Sequence, residues 1–342
     1  MHKEHTHSIL VIVVGIIAAI LLFKFIGTTN LSEVFASANK RLILAAVFLQ
    51  VAMSFFWNLK WKIVFNFVRQ KVDFWTLWLI LFIGNFGDVV SPGSRIGGEP
   101  LRVFYLEKLG YKTDTSLTTI LLERVYNLIA FLFFAFFSFV FAFFKLSLPS
   151  WLMIAMAGAF FIVLTLSYLL FHAFYHEKRG IHFMMRIISK ILPYFYKLKH
   201  TRLSKKYKTY NLFYAHIYGL IKHFFNKVVV LSKNKVLWAE GVFLSFLYWF
   251  IFYFQAWLLF KAVGVQIPFY FIIVMITLSD LIGFLLFIPS GAGIVEILMV
   301  AFATTLGIPV ASAIAATLLI RGIYYIFGLT AGYLSMLYFE EK

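Results

Sequence analysis

Apolar stretches approaching or exceeding the roughly 20 residues that cross a bilayer recur along the chain, at Ile9–Phe23, Leu42–Trp57, Ile129–Phe144, Trp151–Phe171, Val236–Phe260, Phe269–Ile288 and Pro309–Phe339. In hydrocarbon every backbone N–H and C=O must be satisfied within the protein, so such segments are confined to helices. The expected fold is an all-α polytopic membrane protein occupying residues 1–342 as one integral domain. The first run is too long for a signal-peptide core and has no small-residue cleavage site after it, so it reads as a retained span. With 62% hydrophobic residues, 20% aromatic and no cysteine, disulfides and thiol chemistry are excluded. No metal or other cofactor is expected, and the His172/His176 spacing lacks the intervening glutamate of a zinc-protease helix. No phosphate-binding loop of the ATPases and no Gly-x-Ser-x-Gly elbow occurs either.

Lys and Arg number 31 against 14 acids, a formal charge of +17. The excess lies between apolar runs, where it reports orientation and attraction to anionic lipid rather than nucleic-acid binding. Lys178–Lys235 holds fourteen cations and no acid, which places residues 173–235 in the cytoplasm. Asn58–Asp73, with Lys60, Lys62, Arg69 and Lys71, goes to the same side. Both termini are then cytoplasmic in a multi-pass protein of the cell membrane. Arg186, Lys190 and Lys197 share one face of a helical wheel, with Met184, Ile187, Ile188 and Ile191 opposite. That segment reads as an interfacial helix gripping anionic lipid, with Pro193 as a candidate kink.

Two stretches 197 residues apart carry the same punctuation. Pro92, Glu99, Leu109, Gly110, Leu121, Leu122 and Arg124 recur as Pro289, Glu296, Leu306, Gly307, Leu318, Leu319 and Arg321. The repeats run over about 41–144 and 238–340. Each contains a glycine- and proline-rich break that no straight span would carry. The first holds Asn85, Pro92, Gly93, Gly97 and Gly98; the second holds Pro289, Ser290, Gly291 and Gly293. The expected topology is about six full transmembrane helices plus two re-entrant hairpins, the two copies entering from opposite sides. Inverted repeats of this kind place a substrate site near the midplane between them.

At these residues the chain resembles the flippase-like transmembrane region of the lysylphosphatidylglycerol synthases, as a stand-alone member without the aminoacyltransferase domain. The motifs that carry the likeness are Asn85 with Pro92, Gly97, Gly98, Glu99 and Arg102; Glu123-Arg124 followed by Asn127 where an aspartate is common; and Pro289-Ser290-Gly291-Ala292-Gly293-Ile294-Val295-Glu296 with Arg321. The resemblance covers roughly residues 10 to 338. It implies lipid translocation between leaflets rather than aminoacylation.

Glu99, Arg102, Glu123, Arg124, Glu296 and Arg321 fall inside apolar sequence, where each charge costs about 2.5–3.5 kcal/mol. They should therefore face one cavity, with Glu99 paired to Arg124 and Glu296 to Arg321. A guanidinium presents a planar fork that suits phosphate, so Arg124 and Arg321 are expected to hold a lipid phosphate in turn. The glutamates neutralise them when the site is empty. A helix starting after each break directs N–H groups at the same anion. Arg95, matched by Ala292, is a candidate for headgroup selection; Asp88 and Asp280 are candidates for ion or proton coupling. The expected activity is thus a non-enzymatic flippase for an anionic or aminoacylated phospholipid, or a lipid-linked headgroup. The alternatives are a non-transporting lipid-binding subunit of a glycosyl- or aminoacyltransferase system and an intramembrane headgroup-modifying enzyme. A second copy and a separate transferase are the protein partners compatible with this reading.

Overall fold

The computed structural model describes residues 28–90, 97–145, 150–175, 177–197, 209–285 and 293–340. Among them are twelve helices and no strand. In chain order they are α1 (Thr28–Ser37), α2 (Lys40–Phe67), α3 (Phe74–Val90), α4 (Gly98–Lys108), α5 (Thr113–Lys145), α6 (Ser150–Tyr175), α7 (Glu177–Lys197), α8 (Tyr210–Ser232), α9 (Lys235–Ala262), α10 (Phe269–Leu285), α11 (Ile294–Thr305) and α12 (Val310–Glu340). The first apolar run and the break residues Pro92, Gly93, Arg95, Pro289, Ser290 and Gly291 lie outside the described residues.

Among the described residues four helices, α2, α5, α9 and α12, are long and apolar enough to cross a membrane. Large apolar side chains such as Phe48, Phe144, Phe161, Phe243 and Ile326 stand exposed on the surface, where hydrocarbon rather than water suits them. About six spans were expected. The apolar part of α6, Met156–Leu169, is shorter, as are α3, α10 and α11.

The helices α2 to α5 and α9 to α12 follow one another in the same order. Lys40, Phe74, Gly98 and Thr113 open the first set; Lys235, Phe269, Ile294 and Val310 open the second, each 195 to 197 residues later. Each short helix, α4 and α11, is followed by a left-handed glycine, Gly110 (φ 88°) and Gly307 (φ 77°). A residue with a Cβ is strained at such a helix stop.

The two first helices pack along their length and run antiparallel. The Asn39 N–H donates to the Ala262 carbonyl at 2.8 Å. Gln255 donates to the Ala46 carbonyl at 2.8 Å and to Gln50 at 3.2 Å, and Lys60 donates to Ser245 at 3.1 Å. Residue numbers thus rise along α2 as they fall along α9. The remaining helices exchange partners across the junction: α3 packs on α12 and α10 packs on α5. The α3–α12 approach is close enough that a methyl group on Gly332 would lie 2.6 Å from the Phe82 carbonyl oxygen. Reciprocal exchange between antiparallel leading helices is the packing that a pseudo-two-fold axis across them produces.

Outside this core, α7 forms as a helix with Pro193 inside it. Its apolar side divides in two. Ile181 and Met185 are buried against Ile221, Phe224, Phe225 and Val228 of α8, whereas Phe183, Ile187 and Ile191 stay exposed beside Arg186 and Lys190. An ion pair at 2.7 Å between Lys227 and Asp114 ties α8 to the start of α5.

Candidate functional site

The charges placed inside apolar sequence form two clusters. In the first, Glu123 of α5 lies 3.1 Å from Lys60 of α2 and 3.3 Å from Arg102 of α4, with all three side chains 0–2% exposed. Asn127, one turn on, donates at 2.7 Å to Oε1 of the shared acid, the oxygen that Lys60 also contacts. The Arg102 guanidinium lies over the Trp61 ring, 3.8 Å from its centroid. Its Nε and Nη2 are buried without a hydrogen-bond acceptor, and the indole face partly offsets that loss. Alongside, Arg124 binds Glu99 at 2.5 Å and Asp88 at 3.5 Å.

Sequence reading counted Lys60 among the cations of a cytoplasmic connection over Asn58–Asp73. The structure corrects this: α2 continues to Phe67 and Lys60 is a buried member of the network. The signal available in the sequence was its position, a basic residue three after Trp57 and one before Trp61 in an otherwise apolar helix. The same connection is shortened further by Lys62, whose ammonium donates to the Val72 carbonyl.

The second cluster is sparser. Arg321 of α12 binds Glu296 of α11 through Nε at 2.7 Å, so both Glu–Arg pairs expected from the repeat are formed. Arg321 also lines a small cavity, of about 30 Å³, between α2, α9, α10, α11 and α12. Gln50, Gln255, Tyr248 and Asp280 bring polar atoms to the same wall, while Met299 and Ile320 supply apolar surface. Tyr248 bridges the clusters, since its ring lies 5.7 Å from that of Trp57.

Two expectations change. At each short helix the leading N–H is taken inside the protein: Gly98 N–H donates to Asp88 at 2.9 Å, and the N–H of Gly293, the residue before α11, donates to Glu296 at 2.6 Å. Each acid sits within one turn of, or directly across from, the helix start, and an intramolecular carboxylate captures those donors before a ligand can. The charges are also not gathered in one cavity. Arg102, Glu123 and Asp88 are each at most 2% exposed, walled off from the opening beside Arg321. Asp88 in particular fastens α3 to α4 and α5. Gly97 precedes α4, and Gly98 lets α4 approach α3: a methyl there would meet the Gly84 carbonyl oxygen at 2.4 Å. Asn85 is buried in α3, facing α12 near Gly328.

The fold and these buried pairs define a polytopic α-helical membrane protein with two oppositely running, similarly ordered helix sets. The chain belongs to the family described as the lysylphosphatidylglycerol synthase TM region, which matches residues 8–332. Among its relatives, a UPF0104 membrane protein of Methanocaldococcus jannaschii is 25% identical, covering 100% of this chain and 98% of the relative. A UPF0104 membrane protein of Methanothermobacter thermautotrophicus is 24% identical over 93% of this chain and 91% of its own length. Another from Pyrococcus horikoshii is 23% identical, covering 91% of each.

Proposed function

We propose that this protein moves a phosphate-bearing lipid headgroup between leaflets, by alternating access around the junction of its two helix sets. The observation that carries the reading is the cavity beside Arg321, at the meeting of antiparallel α2 and α9. There Glu296 meets Arg321 at Nε, 2.7 Å away, and the arginine lines the cavity. A bidentate donor of fixed charge is suited to a phosphate diester, whose acyl chains would remain in lipid. Glu296 neutralises Arg321 between loads and releases it when phosphate arrives. Membership of a family named for a lipid-synthase membrane region supports a lipid as cargo.

In this reading α3–α4 and α10–α11 are re-entrant hairpins entering from opposite faces, both chain termini lie in the cytoplasm, and the membrane is the cell membrane. The basic helix α7 seats on anionic headgroups. The process is transport without covalent chemistry.

The test is reconstitution into phosphatidylcholine–phosphatidylglycerol vesicles containing acyl-labelled fluorescent phosphatidylglycerol, read by dithionite quenching of the outer leaflet. Arg321→Ala should slow movement at least about tenfold, because a charge-assisted hydrogen bond contributes about 1.5–3 kcal/mol. Movement at the unsubstituted rate by a monodisperse Arg321→Ala protein would refute the assignment.

A further inference from the structure

The offset of 197 residues relates the two charge clusters position by position. It carries Gly98, Arg102, Glu123 and Arg124 onto Val295, Met299, Ile320 and Arg321, and the 195-residue offset of α2 and α9 carries Lys60 onto Gln255. All five second-half residues line the cavity. The equivalent place in the first half is built from residues that are buried and joined to one another. Arg102 and Glu123 form their ion pair there. Lys60 adds a second cation to Glu123. Its counterpart, Gln255, is neutral and donates to the Ala46 carbonyl at 2.8 Å and to Gln50 at 3.2 Å instead. Arg124, although more exposed than Arg321 (27% against 11%), is committed to two carboxylates, Glu99 and Asp88, whereas Arg321 pairs with Glu296 and lines the cavity. Duplication has therefore kept the helix frame and the Glu–Arg contact while filling one of two equivalent pockets with the protein's own ions.

We infer that the chain has a single lipid-headgroup position, in the second half beside Arg321, and that the matching position in the first half is permanently occupied by the Lys60–Glu123–Arg102 cluster. This rests on the transport reading above and changes its mechanism. A headgroup is not handed from Arg124 to Arg321; it stays with one arginine while access alternates around it. The first half acts as the fixed frame. The side chains that decide which half accepts a headgroup are Met299 and Ile320: apolar in the second half, they leave volume where Arg102 and Glu123 fill it in the first.

The test uses the purified full chain with phosphatidylglycerol as probe. Native mass spectrometry should find one tightly retained phosphatidylglycerol per chain, absent from Arg321→Ala. The double variant M299R/I320E transplants the first half's ion pair into the cavity. Its retained lipid and its rate of phosphatidylglycerol movement should both fall at least about tenfold, the factor corresponding to 1.4 kcal/mol, while its unfolding transition in detergent stays cooperative. Two retained lipids per chain, with one surviving Arg321→Ala, would overturn the single position whether or not the double variant folds. So would a folded M299R/I320E protein that holds and moves lipid like the parent. One Arg321-dependent lipid on a chain that never moves it would instead sink the transport reading and leave the single position standing.

Discussion

Glu123→Leu removes the one anion shared by two buried cations, and the structure sets the scale of the damage. With Lys60 at 3.1 Å and Arg102 at 3.3 Å, each contact amounts to about 5 kcal/mol of attraction at an effective dielectric constant of about 20. Much of that attraction is cancelled by the cost of desolvating the charges. Removing the anion forfeits the attraction but not the cost: two cations remain buried, with Ser245 and the Trp61 ring as nearby compensation. The expected loss is about 3–5 kcal/mol, a large part of the roughly 5–15 kcal/mol that holds a typical domain together. The triple variant K60M/R102M/E123L leaves no uncompensated charge and should recover most of the loss, since apolar replacement of a whole buried ion cluster is often neutral. Reversible unfolding in mixed detergent micelles, followed by circular dichroism, measures both. A Glu123→Leu cost below about 1 kcal/mol, or a triple variant less stable than the single one, would refute the view that these charges form one interdependent unit.

Other consequences are as direct. Gly332→Val should part α12 from α3 and lower the yield of folded protein, because the clash is with Phe82 backbone and cannot be relieved by a rotamer. Gly219→Ala meets nothing within 4 Å inside α8 and should stabilise by about 0.5–1 kcal/mol, read from the same unfolding curves. Asp73 accepts from the Trp75 and Thr76 amides at the start of α3, and the Thr76 amide holds its carboxyl below the usual carboxylate range. A depressed value means the cap stabilises above the ordinary carboxylate pKa and is lost as pH falls through the lowered one. Amide exchange at Trp75 and Thr76 should thus be faster in Asp73→Ala than in the parent at pH 7, with the difference closing under strong acid; a difference independent of pH would contradict it. Arg321→Lys should recover only part of the movement lost in Arg321→Ala, since a point charge replaces a planar fork; full recovery would show that charge alone suffices.

The Glu–Arg pairs were legible because each acid and base belongs to a motif repeated at fixed spacing, and helix starts reproduce that spacing to within two residues. Lys60 was not. Its partners, Glu123 and Ser245, come from α5 and α9, and a lysine near an apolar segment's end has the same local appearance whether it faces water or a buried acid. Asp88 was equally opaque. Its contacts with Gly98 and Arg124 depend on how α3 turns back against α4 and α5, which residue spacing does not specify.

Helical, membrane-embedded architecture follows from the order of apolar residues alone, because hydrocarbon tolerates a backbone only when its hydrogen bonds close within each segment. The doubling and the two arginine pairs follow from the proline, glutamate, glycine and arginine repeated 197 residues apart. Which pocket is open was decided by tertiary packing: equivalent frames received Arg102 and Glu123 on one side, Met299 and Ile320 on the other, and volume at a helix junction depends on side chains from several helices converging at once. A buried charge is acceptable only where its counter-ion arrives from another helix, and that meeting exists only once the chain has folded.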